Sequence, residues 1–203
     1  MYQSIRSFLK NLEQDFATIP DERKELLQKI SNYIQARYDK NESINLVYIC
    51  THNSRRSHFG QVAAAISAAY YNIDKVATFS GGTEATAFNP NAINALKTLG
   101  FNIISDEKEV NPTYQVKFGN NLSTTCFSKV YDHEANPKAD FAAIMTCSDA
   151  EQNCPFIPGV ALRIGTTYED PKKSDGTPLQ EETYLKRFKQ IATETLYAFS
   201  LVK

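Results

Sequence analysis

The stretch Cys50-Thr51-His52-Asn53-Ser54-Arg55-Arg56-Ser57 constrains this chain more than any other. The residues before it, Ile44-Asn45-Leu46-Val47-Tyr48-Ile49, form a short apolar run that predicts a buried strand. The residues after it, from Ser57 through Gln61-Val62-Ala63-Ala64-Ala65-Ile66 to about Tyr70, are alanine-rich and predict a helix. A cysteine therefore closes a strand, an arginine follows six positions later, and the loop between them opens a helix. Successive backbone N–H groups in such a loop curl into a concavity, and the first-turn N–H groups of the helix lack intrahelical partners. A tetrahedral oxyanion supplies the missing acceptors. The same field stabilises a thiolate, which makes Cys50 a nucleophile at neutral pH. Arg56 is placed to grip two oxygens with its planar fork, as a lysine could not. Ser57 can donate to the sulfur, and Asn53 tolerates the left-handed backbone that a tight loop needs. Thr51, His52, Asn53, Ser54, Arg55 and Arg56 are the candidate oxyanion-binding set.

The surrounding pattern predicts an α/β fold with a parallel sheet. Val76-Ala77-Thr78-Phe79 reads as a second strand, ending in Ser80-Gly81-Gly82-Thr83. Asn89-Pro90 is a helix start, with Asn as N-cap and Pro at the first helical position, and the helix stops at Gly100. Strand, helix, strand, helix at this spacing implies right-handed crossovers. Phe141-Ala142-Ala143-Ile144-Met145-Thr146 and Val160-Ala161-Leu162-Arg163-Ile164 supply two more strands, and a helix from about Glu181 to Leu201 closes the chain. Cys147 follows the third of these strands, so Cys50 and Cys147 are both expected at the carboxyl rim of the sheet, where open α/β sheets bind their ligands.

Two regions stand apart from this core. Residues 1–43 predict a pair of helices, with Ile5, Phe8, Leu9, Leu12 and Phe16 on one face and a break at Pro20-Asp21. They form an N-terminal helical arm packed on a main domain spanning 44–203. Residues 111–138 predict a β-hairpin insertion: Tyr114, Val116 and Phe118 alternate, Gly119-Asn120-Asn121 turns, and strand-forming residues return from Leu122 through Tyr131. Cys126 lies inside it and is read as structural.

Cys-x5-Arg-Ser after a strand resembles the signature of the low-molecular-weight protein tyrosine phosphatase superfamily, which includes the thioredoxin-coupled arsenate reductases. Ser80-Gly81-Gly82-Thr83 resembles the family's Ser-Ala-Gly-Thr turn, and Asp170-Pro171 resembles the pair that carries its general acid. The resemblance implies a three-layer sandwich around a four-stranded parallel sheet. In the phosphatase branch, Cys50 would attack phosphorus, Arg56 would stabilise the equatorial oxygens and Asp170 would protonate the leaving group. In the reductase branch, arsenate would enter the same loop and form a thiol adduct on Cys50. Two further thiols would then relay a disulfide to an external reductant. Thr146-Cys147 through Cys154-Pro155 is similar to the Cys-x6-Cys pair of those reductases, and the lysines after Asp170-Pro171 resemble the same branch. The sequence therefore points first to arsenate reduction through Cys50, Cys147 and Cys154, with aryl phosphate hydrolysis as the alternative. A non-catalytic redox or oxyanion sensor stands third.

Positions seven apart on an unbroken helix are separated by roughly 10.5 Å along its axis, and a disulfide spans at most ~7 Å between α-carbons. Joining Cys147 to Cys154 therefore requires a looped or unwinding segment, and residues 147–154 are expected to be mobile. Two buried thiols or a zinc site are the other readings of the pair. Zinc needs about four ligands, and His52, His58 and His133 show no ligand spacing. The chain departs from the family it resembles at His52, where that family usually has Gly, and at Arg55, where the reductases often have Cys. Gln61 stands where the reductases carry a Glu associated with potassium, which speaks against cation dependence. No metal and no tightly bound cofactor are expected, and thioredoxin is the implied partner of a reductase. A formal net charge of −1 gives no electrostatic case for nucleic acid or anionic membrane. No run approaches a membrane span, Met1-Tyr2-Gln3-Ser4 opens no signal peptide, and four cysteines in 203 residues read as reactive cytoplasmic thiols.

Overall fold

The computed structural model describes residues 1–105, 109–153 and 156–203. At its centre is β1 (Ile44–Cys50), six of whose seven residues are buried, as expected of a strand covered on both faces. It pairs in parallel with β2 (Val76–Gly82) on one side and β6 (Phe141–Met145) on the other, and β7 (Val160–Gly165) adds to β6. The order β2-β1-β6-β7 is a four-stranded, all-parallel sheet. The helices flanking it are α1 (Gln3–Gln14), α2 (Asp21–Asp39), α3 (Arg56–Tyr71), α4 (Pro90–Thr98), α5 (Ser148–Asn153) and α6 (Gln180–Ser200).

Period-two alternation divides the strand side chains between two apolar clusters. Leu46, Tyr48, Ala142 and Ile144 pack with Ala64 and Ala68 of α3, Phe199 of α6 and Leu27, Ile30 and Ile34 of α2. Val47, Ile49, Ala143 and Met145 face the opposite way, against Ala150 of α5 and Ile157, together with Cys50 and Cys147. Gly60 lets α3 lie close on the sheet, because a Cβ there would fall 2.1 Å from the Tyr48 ring. The apolar face of α1, carried by Ile5, Leu9 and Leu12, belongs to a third cluster with α3, α4, α6 and the strands described next. The apolar faces expected of residues 1–43 are thus inside the core. None of the helices described is long and apolar enough to cross a membrane.

The 111–138 region forms a hairpin of β4 (Tyr114–Gly119) and β5 (Leu122–Cys126), with a third antiparallel strand, β3 (Asn102–Ser105), against β4. β5 stops at Cys126, short of the expected Tyr131. Beyond it the backbone turns to the edge of the parallel sheet, where Gly82 N–H donates to the Lys129 carbonyl and Tyr131 N–H to the Gly82 carbonyl, each at 2.9 Å. The groups that would have continued the hairpin are spent on the end of β2 and on the loop after β1.

Candidate active site

The loop between Cys50 and Arg56 is shaped by its carbonyls. Thr83 N–H donates to the carbonyl of Cys50 (3.2 Å), Glu84 N–H to that of Thr51 (2.8 Å) and Asn89 N–H to that of Ser54 (2.9 Å). The Thr86 and Ser128 hydroxyls donate to the His52 carbonyl at 3.0 and 3.2 Å. A trans peptide points its C=O and N–H in opposite directions, so carbonyls held from outside turn the N–H groups of Thr51, His52, Asn53 and Arg55 inward. Asn53 has φ 42°, in the left-handed region predicted for it. Gly82 is required alongside, since a Cβ there would meet the Glu84 carbonyl at 2.4 Å and the Thr51 carbonyl at 2.6 Å.

A directed hydrogen-bond relay ends on the Cys50 sulfur. Lys129 N–H donates to Asn53 Oδ1 at 2.8 Å, which fixes the amide so that Asn53 Nδ2 donates to Ser57 Oγ at 2.8 Å. Ser57 then has its own proton free for Cys50 Sγ, 3.1 Å away. All four residues are buried. The relay thus leaves an oriented hydroxyl aimed at the Cys50 sulfur.

Arg56 opens α3 and forks away from the loop, donating to the Tyr168 carbonyl at 2.9 Å and to Asp170 Oδ2 at 2.7 Å. Its Nε is buried with no partner among the described residues. Asp170 also caps the short 3₁₀ turn Pro171–Ser174, accepting from Lys172 N–H at 3.0 Å. Arginine and candidate acid are thus in direct contact. Arg55 and His52 turn their side chains elsewhere: Arg55 donates to the Tyr184 hydroxyl (2.9 Å) and pairs with Asp175 (3.6 Å), and His52 faces Glu84 on the rim (3.6 Å). Any contribution from these two to an oxyanion therefore comes from the backbone.

Cys147 is brought to the same rim. Thr146 donates from both N–H (2.7 Å) and Oγ1 (2.9 Å) to the Ile49 carbonyl, which locks the end of β6 beside the end of β1. Cys147 Sγ then lies 3.4 Å from Thr51 Oγ1, within the loop itself, and accepts from Ala150 N–H of α5 at 3.4 Å. Cys50, Cys126 and Cys147 are free thiols. Cys154 lies outside the described residues.

Behind the loop, Gln61 donates to Thr124 Oγ1 and the Thr125 carbonyl, at 2.9 and 2.8 Å. Its Oε1 is buried with no partner among the described residues. Among the described residues, no group of three or more His, Cys, Asp or Glu is arranged to hold a metal ion. Beside it, burial pushes the His58 imidazole down to about 3 and the Cys126 thiol up to about 12. Two residues that support the site are not among those predicted for it: Tyr168, whose carbonyl orients Arg56, and Glu194, which accepts from the Tyr168 hydroxyl at 2.8 Å. A carboxylate among the apolar positions of the last helix was the available signal.

No family model matches the chain. It is 32% identical to the arsenate reductase of Brevibacillus brevis over 126 residues, 62% of this chain and 75% of that protein. It is 26% identical to the arsenate reductase of Bacillus subtilis over 155 residues, 76% of this chain and 94% of that protein. Among solved structures it matches a low-molecular-weight phosphotyrosine phosphatase from Vibrio cholerae with a TM-score of 0.50 and 14% identity, over 76% of this chain and 94% of that one. The last likeness is one of fold.

Proposed function

The chain belongs to the arsenate reductases of the low-molecular-weight protein tyrosine phosphatase superfamily, and from that premise we propose that it reduces arsenate to arsenite through Cys50, Cys147 and Cys154. The observation that carries the reading is Cys147 at hydrogen-bond distance from Thr51, the residue after the nucleophile. Hydrolysis of a phosphate ester needs no second thiol there, whereas reduction of arsenate does.

Arsenate would bind the inward N–H groups of the loop, with Arg56 supplying positive charge. The Cys50 thiolate attacks arsenic, and an arsenate oxygen leaves as water after protonation. The Cys147 thiolate then attacks Cys50 Sγ. The sulfur–sulfur bond forms, the sulfur–arsenic electron pair stays with arsenic, and arsenite departs. Cys154 would attack Cys147 next, freeing Cys50 as a thiolate and leaving a Cys147–Cys154 disulfide for thioredoxin to reduce. With α5 directly after Cys147, that last exchange requires the helix to unwind. The cytoplasm, where thioredoxin keeps thiols reduced, is the compartment this cycle needs.

One observation favours a second reading. Asp170 sits against Arg56 at 2.7 Å, where it could protonate the leaving group of an aryl phosphate. The deciding experiment follows arsenate-dependent NADPH oxidation with thioredoxin and thioredoxin reductase, beside aryl phosphate hydrolysis, for wild type, Cys147→Ser and Cys154→Ser. Arsenate turnover that needs all three thiols supports the reductase. Hydrolysis indifferent to Cys147 and Cys154, with no arsenate turnover, supports the phosphatase.

A further inference from the structure

The N-terminal helices meet the rest of the molecule mainly through apolar faces, but one polar contact reaches toward the active site. Arg23, in the first turn of α2, donates from Nε to Glu194 Oε2 at 2.7 Å and from its terminal nitrogen to the Thr167 carbonyl at 3.2 Å. Its guanidinium lies over the Tyr168 ring, 4.8 Å from the centroid. The Tyr168 hydroxyl donates to the same Glu194 oxygen, at 2.8 Å. Arg23 therefore holds one two-residue stretch by its backbone, its ring and the acceptor of its hydroxyl.

The front of that stretch is the active site. The Tyr168 carbonyl takes one nitrogen of Arg56, and Asp170, two residues on, takes the other. The side chains of Arg23 and Glu194 are 17% and 8% exposed, so the two charges act on one another with little screening. Removing the arginine would take away the guanidinium bonded to a buried carboxylate, leaving the Tyr168 hydroxyl and the charge of Arg187, which has no hydrogen bond to it, and Glu194 and Tyr168 would have to rearrange.

We propose that Arg23 is a positioning residue for the oxyanion site, clamping Thr167–Tyr168 from behind and so fixing where Arg56 and Asp170 present their charges. The helical arm is then part of the support of the active site. The inference rests on the reading that the Cys50–Arg56 loop binds an oxyanion, but not on which reaction follows.

The test uses the full-length chain and the protection of Cys50 from iodoacetamide by inorganic phosphate or arsenate. Arg23→Ala should weaken protection by about tenfold, as expected when a charged group in a site is misplaced. The alkylation rate of Cys50 without anion should stay at the wild-type value, because the Ser57–Asn53 relay does not touch the arm. Arg23→Lys, which keeps the charge but not both hydrogen bonds, should fall between the two. Lys24→Ala, one residue away on the same helix, should match wild type. A merely structural role would instead expose Cys126 to alkylation in step with the loss of protection. If Arg23→Ala does expose Cys126, Arg23→Lys decides, provided its own Cys126 stays protected. Wild-type protection in whichever arginine variant remains folded overturns the clamp, as does loss that only accompanies Cys126 exposure in both. A wild-type chain that neither anion protects refutes the oxyanion site itself and the clamp with it. Protection without arsenate turnover refutes the proposed reaction alone.

Discussion

Cys50 and Cys126 each end a β-strand, and each lies almost wholly out of solvent, at 3% and 0% exposure. Their surroundings are opposite. Cys126 sits in an apolar cluster, where burial raises its thiol to about 12 and only the charge of Lys129 pulls the other way. Cys50 meets the Ser57 hydroxyl at 3.1 Å, oriented by Asn53, at the mouth of a loop whose N–H groups turn inward. Burial in apolar surroundings leaves a thiol inert, whereas Cys50 is buried against the oriented donor that the proposed reaction requires.

Cys50→Ser should lower arsenate turnover by about 10⁴-fold or more, as for other lost nucleophiles, while Cys126→Ala should leave kcat/KM at the wild-type value. Equal losses from the two would erase the distinction. Ser57→Ala removes a hydrogen bond to a charged group, worth about 1.5–3 kcal/mol, so kcat/KM should fall roughly 10- to 100-fold. Initial-rate kinetics at neutral pH measure both.

His58 extends the comparison to a third buried group. Its imidazole is held at about 3, against 6.5 ordinarily, so between those values the unfolded chain takes up a proton that the native chain refuses. Stability should therefore fall as pH drops below 6.5, by about 2 kcal/mol at pH 5. Urea unfolding of wild type and His58→Gln across that range checks it, and the variant should show a flatter profile. The smallest effect is expected at Cys126 itself, where Cys126→Ala should cost about 1 kcal/mol through the small cavity it leaves, read from the same unfolding curves.

The parallel strands were legible because each is a short, largely apolar run, and the loop because a cysteine and an arginine bracket a strand-to-helix turn. The Asn89-Pro90 start of α4 came out as read, with Asn89 Oδ1 accepting from Asn91 and Ala92 N–H. β3 went unread because four residues of alternating exposure are too short to show a period. The end of β5 was misplaced because Ser128 and Lys129 bond to His52 and Asn53, 76 positions earlier. The Arg23–Glu194 pair, 171 positions apart, leaves no local trace at all. Local pattern reveals elements, but polar contacts between distant segments exist only once the chain has folded.

The pairing of the two rim thiols is tested most directly in a single turnover. The Cys154→Ser variant, reduced, freed of reductant and mixed with arsenate, has no thiol to resolve the intermediate. One arsenite should be released per chain, and a Cys50–Cys147 disulfide should be recovered by peptide mass mapping. Arsenite without that disulfide, or intact thiols after prolonged exposure to arsenate, would contradict that pairing.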